Sequence, residues 1–274
     1  MQDERAAVLM DLVSAVMDIA IDDREVTVAV PQGCEVAPLV FAERGEVVVM
    51  KRRQSERVES PVVLVQGFGC RPRVLGPLER RIGKVLGRPT LCPIPGLGLG
   101  DLRDSAHELV NAIEASASKD GYQRFDVVAH SMGGLTATYM LKHLDQGRRI
   151  RRVVTLGTPF GGLSAAWLAS LLGPLGGSLG QIAPHSRLLR RLTGAPVPAG
   201  SALVSISGSR DQLVSEAAAR AGEGPGHYHL DAGPCNHTQL VIGAVGFRRI
   251  EFALAVPGLE VGGPIRARLL RTAA

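Results

Sequence analysis

Residues 125–135, Phe-Asp-Val-Val-Ala-His-Ser-Met-Gly-Gly-Leu, constrain this chain more than any other stretch. An apolar run stops at a serine, two glycines follow, and a helical pattern then begins. A buried strand must therefore end in a sharp turn that carries Ser131. The small residues Ala129, Gly133 and Gly134 leave room for a backbone that passes close to its neighbours. A serine at such a turn stands where an imidazole can activate its hydroxyl, and where N–H groups at a helix N-terminus face charge developing on a carbonyl. The same residues also make an ordinary strand, serine cap and loop, so the chemistry depends on partners supplied elsewhere.

The other strand candidates organise around this one. Residues 62–66 form a continuous apolar run after Pro61, without alternation, as expected of a central parallel strand buried on both faces. Gly67 and Gly69 follow it and allow the chain to turn away while bringing a backbone N–H over the strand end, although an ordinary strand-to-helix turn has the same composition. Short strands are expected at 89–92, 153–156, 202–207 and 227–233, with helices at 78–86, 102–118 and 135–144. Asp101 or Ser105 is placed to cap the second helix. Alternation of strand and helix implies an α/β domain: a mostly parallel central sheet flanked by helices.

The ends of these strands hold the candidate partners. Asp211 lies just past 202–207, where an acid can orient an imidazole or simply cap a following turn. Seven histidines compete as base. His107 and His143 fall on helix faces, His130 is expected to be locked beside the serine with its side chain directed elsewhere, and His185 reads as a surface residue. His227 and His229 share one face of a strand. His237 alone follows a strand at a loop-to-helix junction downstream of Asp211, at the head of a helix running toward Val245, with Asp231 as the competing acid.

Between 162 and 200 the composition turns apolar and glycine-rich, which suits either a lid over an apolar substrate or packing against a neighbouring element. Gly161 and Gly162 are expected to free the chain to cross over the site. Trp167, the single tryptophan, is a candidate acyl contact or a core anchor. Residues 1–60 read as an extension packed on a domain of residues 61–274. Val8, Leu12, Val16 and Ile19 give a helix with one apolar face, and 26–30 with 47–50 give a hairpin at the sheet edge.

Composition narrows the function classes. The formal charge is +5, yet the arginines come in scattered pairs such as Arg52 and Arg53 or Arg148 and Arg149, without interleaved aromatics, so a nucleic-acid partner is not expected. The N-terminus opens with acids, and Asp11 and Asp18 interrupt its apolar run, unlike an export signal or a membrane span; the expected location is cytoplasmic. Cys34, Cys70, Cys92 and Cys235 lack metal-ligand spacing, so no metal is expected, and reduced thiols fit better than two disulfides.

The order Ser131, Asp211, His237, each just past a strand end, together with the turn at 66–69 and Leu-Gly-Thr-Pro-Phe-Gly-Gly at 156–162, resembles the α/β-hydrolase superfamily, and within it bacterial serine lipases and esterases. The resemblance spans roughly residues 61–255. It implies Ser131 as nucleophile, His237 as general base and then acid, Asp211 as the group orienting the imidazole, and the backbone N–H groups of Phe68 and Met132 as an oxyanion hole. It implies no cofactor. Two positions depart from the usual pattern. Ala129 stands where many relatives have glycine, as it does in a subgroup of bacterial lipases, and Gln66 stands where histidine is usual. The implied activity is hydrolysis of a lipid-like or apolar acyl ester through an acyl-enzyme, with transient contact at a lipid interface. Acyl transfer to an alcohol and thioester hydrolysis use the same triad, and a binding module on a hydrolase fold is the non-catalytic alternative.

Overall fold

The computed structural model describes residues 42–43, 46–47, 60–67, 75–93, 101–163 and 181–255. The chain divides into two units, Met1–Ser55 with Pro264–Ala274, and Glu56–Gly263. In the first, β1 (Ala42–Glu43) pairs antiparallel with β2 (Glu46–Val47) as a two-stranded sheet. Of these four residues only Val47 falls within the strands expected at 26–30 and 47–50. The expected N-terminal helix and the strand at 26–30 lie outside the described residues.

Among the described residues, the second unit is built on six parallel strands: β3 (Val62–Val65), β4 (Thr90–Leu91), β5 (Phe125–His130), β6 (Ile150–Leu156), β7 (Ala202–Ser207) and β8 (His227–Asp231). They lie in the order β4-β3-β5-β6-β7-β8. The chain moves outward from β3 to β4, then returns to lay β5 on the other side of β3. The strand order therefore reverses between β3 and β5, and the carboxyl ends of strands beside such a switch point are where open α/β sheets bind ligands. Val65 pairs with Ala129 and His130 with Leu156, which brings the ends of β3, β5 and β6 level.

Alternation along the strands fills two cores. Val62, Leu64 and Val128 face α1 (Gly76–Arg81, continued by a π-helical turn at Ile82–Leu86) and α6 (Ala244–Ala255), where Leu78, Ile82, Phe247 and Ile250 are buried. Val63, Val65, Val127 and Val153 face α2 (Leu102–Asp120), α3 (Met132–Tyr139, continued by a π-helical turn at Met140–Asp145) and α4 (Arg187–Gly194). α2 begins at Asp101, whose carboxylate accepts from the Arg103 amide at 2.8 Å, so the first of the two expected caps is the one used. Both faces of the sheet are buried, which is why β3 reads as an unbroken apolar run, while β5 and β7 bury polar residues such as Asp126 and Ser205 among their apolar ones.

The end of the sheet opposite the switch-point loops is closed by charge. Asp126 is fully buried and accepts from Arg88 at 2.7 Å and from Arg151 at 3.0 and 2.5 Å. Burial alone raises its carboxyl pKa, but the adjacent Arg88 and Arg151 charges outweigh burial and hold it below the ordinary range. Arg152, also buried, donates to the Ala253 and Leu254 carbonyls at 3.0 and 2.6 Å and ties the end of α6 to β6.

The stretch at 162–200 divides. Residues 164–180, Trp167 included, lie outside the described residues, so the lid expectation falls there. Residues 181–194 belong to the body: Ile182, Leu189 and Leu192 are buried in the core on the α3 side. Lys142 Nζ, at the end of α3, donates to the Leu192 and Ala195 carbonyls at 2.7 Å each and lies 3.0 Å from His227 Nε2 on β8. Gly161 and Gly162 both sit where packing is close, and Gly162 also takes φ +88°, a conformation that glycine's freedom permits. A Cβ on Gly161 would sit 2.9 Å from Ala218 Cα, and one on Gly162 2.6 Å from the Pro184 nitrogen.

Candidate active site

Ser131 follows directly from the last residue of β5 and precedes the first residue of α3, with φ 54° and ψ −130°. This backbone conformation is strained for a residue with a Cβ. It is held by three bonds: the Ser131 amide donates to the Leu156 carbonyl at 2.8 Å, and the Ser131 carbonyl accepts from the Gly134 amide at 3.0 Å and from Thr158 Oγ1 at 2.9 Å. The helix begins immediately, so the Met132 amide is a first-turn N–H without a partner inside the helix. Small residues permit this crowding. A Cβ on Gly133 would lie 2.3 Å from the Gln66 carbonyl oxygen and one on Gly134 1.9 Å from Thr158 Oγ1. A Cβ on Gly67 would stand 2.8 Å from Ser131 Cβ, so the first glycine after β3 lies directly against the serine.

Asp211 and His237 meet beside β7 and β8. His237 Nδ1 lies 2.7 Å from Asp211 Oδ2, with both side chains largely shielded from solvent. The other carboxylate oxygen accepts from the Leu213 and Val214 amides at 2.9 Å each. Both sequence readings of Asp211 are thus realised: one oxygen caps a turn, the other orients an imidazole. Burial pushes the Asp211 carboxyl pKa up, but the His237 N–H and the Val214 amide more than offset this and hold the group below its ordinary value. With a carboxylate on Nδ1, that nitrogen carries the proton and Nε2 is left as the basic nitrogen.

The loops bearing the two residues are stitched together. The Ser209 amide donates to the Gly233 carbonyl at 2.8 Å, and the Arg210 amide to the Cys235 carbonyl at 3.2 Å. After His237 the helix is short, α5 (Gln239–Ile242), and it breaks at Gly243 instead of running on to Val245. A reciprocal pair fixes its start: the Gln239 amide donates to Asn236 Oδ1, and the Asn236 amide to Gln239 Oε1, each at 2.9 Å. Asp231, the competing acid, accepts from the Gly233 amide at 2.6 Å through its carboxylate.

Two contacts connect this pair to the serine turn. Gly157, at φ +53° just past β6, leaves space that a Cβ would fill at 2.9 Å from both Asp211 Oδ2 and His237 Nδ1. His130, expected to point elsewhere, turns onto His237. Its Nε2 lies 3.2 Å from the His237 carbonyl oxygen and the two ring centroids are 4.5 Å apart. As the last residue of β5, it sits where the pleat gives way to the turn, so strand alternation does not set its direction.

A family model described as lecithin:cholesterol acyltransferase matches residues 98–183, from just before α2 through the serine turn and beyond β6. Among solved structures, the chain is similar to the mature Bacillus licheniformis lipase BlEst2, with a TM-score of 0.59 and 18% identity over 74% of this chain and 95% of that one. It is also similar to Aspergillus fumigatus lipase B, with a TM-score of 0.58 and 20% identity over 78% of this chain and 58% of that one. The phospholipase PlaB from Legionella pneumophila matches at a TM-score of 0.50 and 15% identity over 59% of this chain and 44% of that one. The fold is that of the α/β hydrolases.

Within this α/β-hydrolase fold, Ser131 stands at the switch point with Gly67 against it, and the Asp211–His237 pair is connected to it through Gly157 and His130. Phe68 lies outside the described residues. The remaining histidines stand apart: His107 and His185 are exposed, His143 stacks on Tyr139 at 4.8 Å, and His229 lies between Ser205 Oγ and Ser207 Oγ at 2.9 and 3.1 Å. Cys92 and Cys235 are free thiols, and Cys34 and Cys70 lie outside the described residues. Sequence reasoning missed Thr158, Gly157 and the Asn236–Gln239 pair. The first two were visible only as part of a glycine-rich turn, whereas Asn-His-Thr-Gln is a readable capping pattern.

Proposed function

We propose that this protein is a serine carboxylic-ester hydrolase of the lipase or esterase kind, working through an acyl-enzyme. The observation that carries the reading is the Asp211–His237 pair at 2.7 Å, joined through His130 to the strand end that bears the strained Ser131 turn. Ser131 Oγ attacks the ester carbonyl carbon while His237 Nε2 takes the hydroxyl proton. The tetrahedral oxyanion accepts hydrogen bonds from the Met132 amide and, in this reading, from the Phe68 amide. Collapse breaks the bond to the leaving alkoxide, which receives the proton from His237. Water then attacks the acyl-enzyme with His237 again as base, releasing the acid and restoring Ser131. Asp211 stays ionised and offsets the imidazolium charge. The similar structures named as lipases and a phospholipase favour a lipid-like or apolar acyl ester, met transiently at a lipid interface.

The test is a chain-length series of p-nitrophenyl esters with a fluorophosphonate probe. Wild-type protein is expected to turn over esters and to be labelled at Ser131, and Ser131→Ala to do neither. Turnover by Ser131→Ala at the wild-type rate would overturn the reading.

The acyltransferase family match over residues 98–183 favours a second reading, in which the acyl-enzyme passes its acyl group to an alcohol. Adding a competing alcohol at fixed ester concentration separates the two. A rise of the new ester at the expense of free acid, at alcohol concentrations far below that of water, supports transfer; release of free acid alone supports hydrolysis.

A further inference from the structure

Among the described residues at the site, His130 is a buried ionisable side chain to which the mechanism above assigns no task. It is 7% exposed, immediately precedes the serine, and reaches 107 residues along the chain to the main chain of His237. The partner of Nε2 is a carbonyl oxygen, which only accepts, so His130 carries its proton on Nε2 and donates it. Nδ1 is then a bare lone pair, and it has no hydrogen-bond partner among the described residues.

We propose that His130 is a positioning residue for the base: its Nε2–H···O=C bond and the contact of its ring with the His237 ring fix the imidazole's distance from Ser131. The argument rests on reading Ser131 and His237 as an acyl-transfer pair. Asp211 holds the His237 ring by one nitrogen, and the Asn236–Gln239 pair holds the main chain that flanks it, both of them ties within the loops that follow β7 and β8. His130 supplies a constraint from outside those loops, from the end of β5. Because residues 130 and 131 are consecutive, the nucleophile and the anchor of its base move as one body, and a shift of β7 and β8 against β5 is resisted at the site itself.

The electrostatics agree with this role. The charged groups facing His130 are His237 and, beyond it, Asp211. Burial first, and the neighbouring His237 second, push the His130 pKa down to about 3, so it stays neutral while His237 gains and loses its proton. A second cation 4.5 Å from the imidazolium would oppose the proton transfer on which the chemistry depends.

The experiment compares His130→Phe, which keeps a ring but cannot donate, with His130→Gln, whose amide can donate to the same carbonyl. For p-nitrophenyl butyrate, His130→Phe is expected to lower kcat by roughly tenfold to a hundredfold, the penalty of a misplaced catalytic group, with KM nearly unchanged and the fluorophosphonate labelling rate falling in parallel. His130→Gln is expected to recover most of the loss. Wild-type kcat in His130→Phe, or a Gln variant no better than Phe, would overturn the proposal. If His130→Phe does not fold, His130→Asn, whose amide is too short to reach, replaces it against Gln with the same expectations. Wild-type protein that neither labels nor turns over ester sinks the acyl-transfer reading and this proposal with it; an active wild type with an indifferent His130→Phe sinks this proposal alone.

Discussion

At the scale of single residues, the site is a set of close approaches that tolerate little change. Asp211→Asn keeps the two amide bonds to Oδ1 but forfeits the charge and lets the imidazole adopt the wrong tautomer. It is expected to lower kcat by about 10³- to 10⁴-fold, with circular dichroism unchanged, whereas Asp231→Asn leaves kcat near wild type. The reverse outcome would transfer the acid role to Asp231. Ser131 sits at φ 54°, a region costing about 1–3 kcal/mol for a residue with a Cβ. Ser131→Gly removes that strain and Ser131→Ala does not, so the glycine variant should melt a few degrees above the alanine variant while both are inactive; equal melting temperatures would mean that the turn stores no strain. Ser131, Asp211 and His237 were legible in the sequence because each follows a strand run within a few residues. The direction of His130 was not, since the pleat stops constraining side chains where the chain turns, and Gly157 was hidden among other glycines of the same turn.

At the scale of elements, α3 matters most, because its first turn crosses the end of β3 at a separation that admits no side chain. Gly133→Ala would drive a methyl group into the Gln66 carbonyl, at 2.3 Å in the present geometry. The helix must then shift, carrying the Met132 amide and Ser131 with it. We expect loss of measurable esterase activity and a destabilisation of about 1–3 kcal/mol, the range for overpacking a dense site, read from urea unfolding. The other end of α3 is pinned by Lys142, whose burial lowers its pKa to about 8. Lys142→Met would leave two carbonyls without their donor, and we expect a loss of about 1–3 kcal/mol, the usual penalty for stranded polar groups, with kcat retained. The helical spacing of α4 is visible in its Arg-Leu-Leu-Arg-Arg-Leu run at 187–192, so its local structure was legible. Its burial as part of the body was not, because an amphipathic face has the same spacing whether it covers a core or a ligand.

For the whole molecule, acidity tests the packing. His130, His227 and His229 are held neutral chiefly by burial, with pKa values lowered from 6.5 to about 3, about 4 and about 4. The unfolded chain therefore takes up protons before the folded one as pH falls below about 6.5. Stability linked to these groups is full above that pH and declines down to about 4 for His227 and His229 and about 3 for His130. Below about 4, protonation of Asp126 and Asp211, whose pKa values are lowered in the fold, removes a further share. Melting temperature should fall steadily from pH 7 to pH 5, and His229→Gln should flatten that slope; an unchanged slope would show that His229 is protonated in the fold at pH 5. The parallel α/β architecture was legible from the unalternating strand runs. The strand order was not, since nothing local to 62–66 says on which side β4 lies.

That order has a consequence for how the protein fails. In the sheet of the described residues the serine hangs from β5, with β3 and β6 on either side, whereas the loop bearing His237 hangs from β8, which among the described residues pairs on one side only, to β7. Strands at a margin open through small local fluctuations while interior strands open only when the whole domain does. Amide hydrogens of β8 should therefore exchange faster than those of β5. On gentle heating His237 would leave Ser131 while most of the sheet is still intact, so under the proposed mechanism activity should disappear several degrees before the ellipticity does.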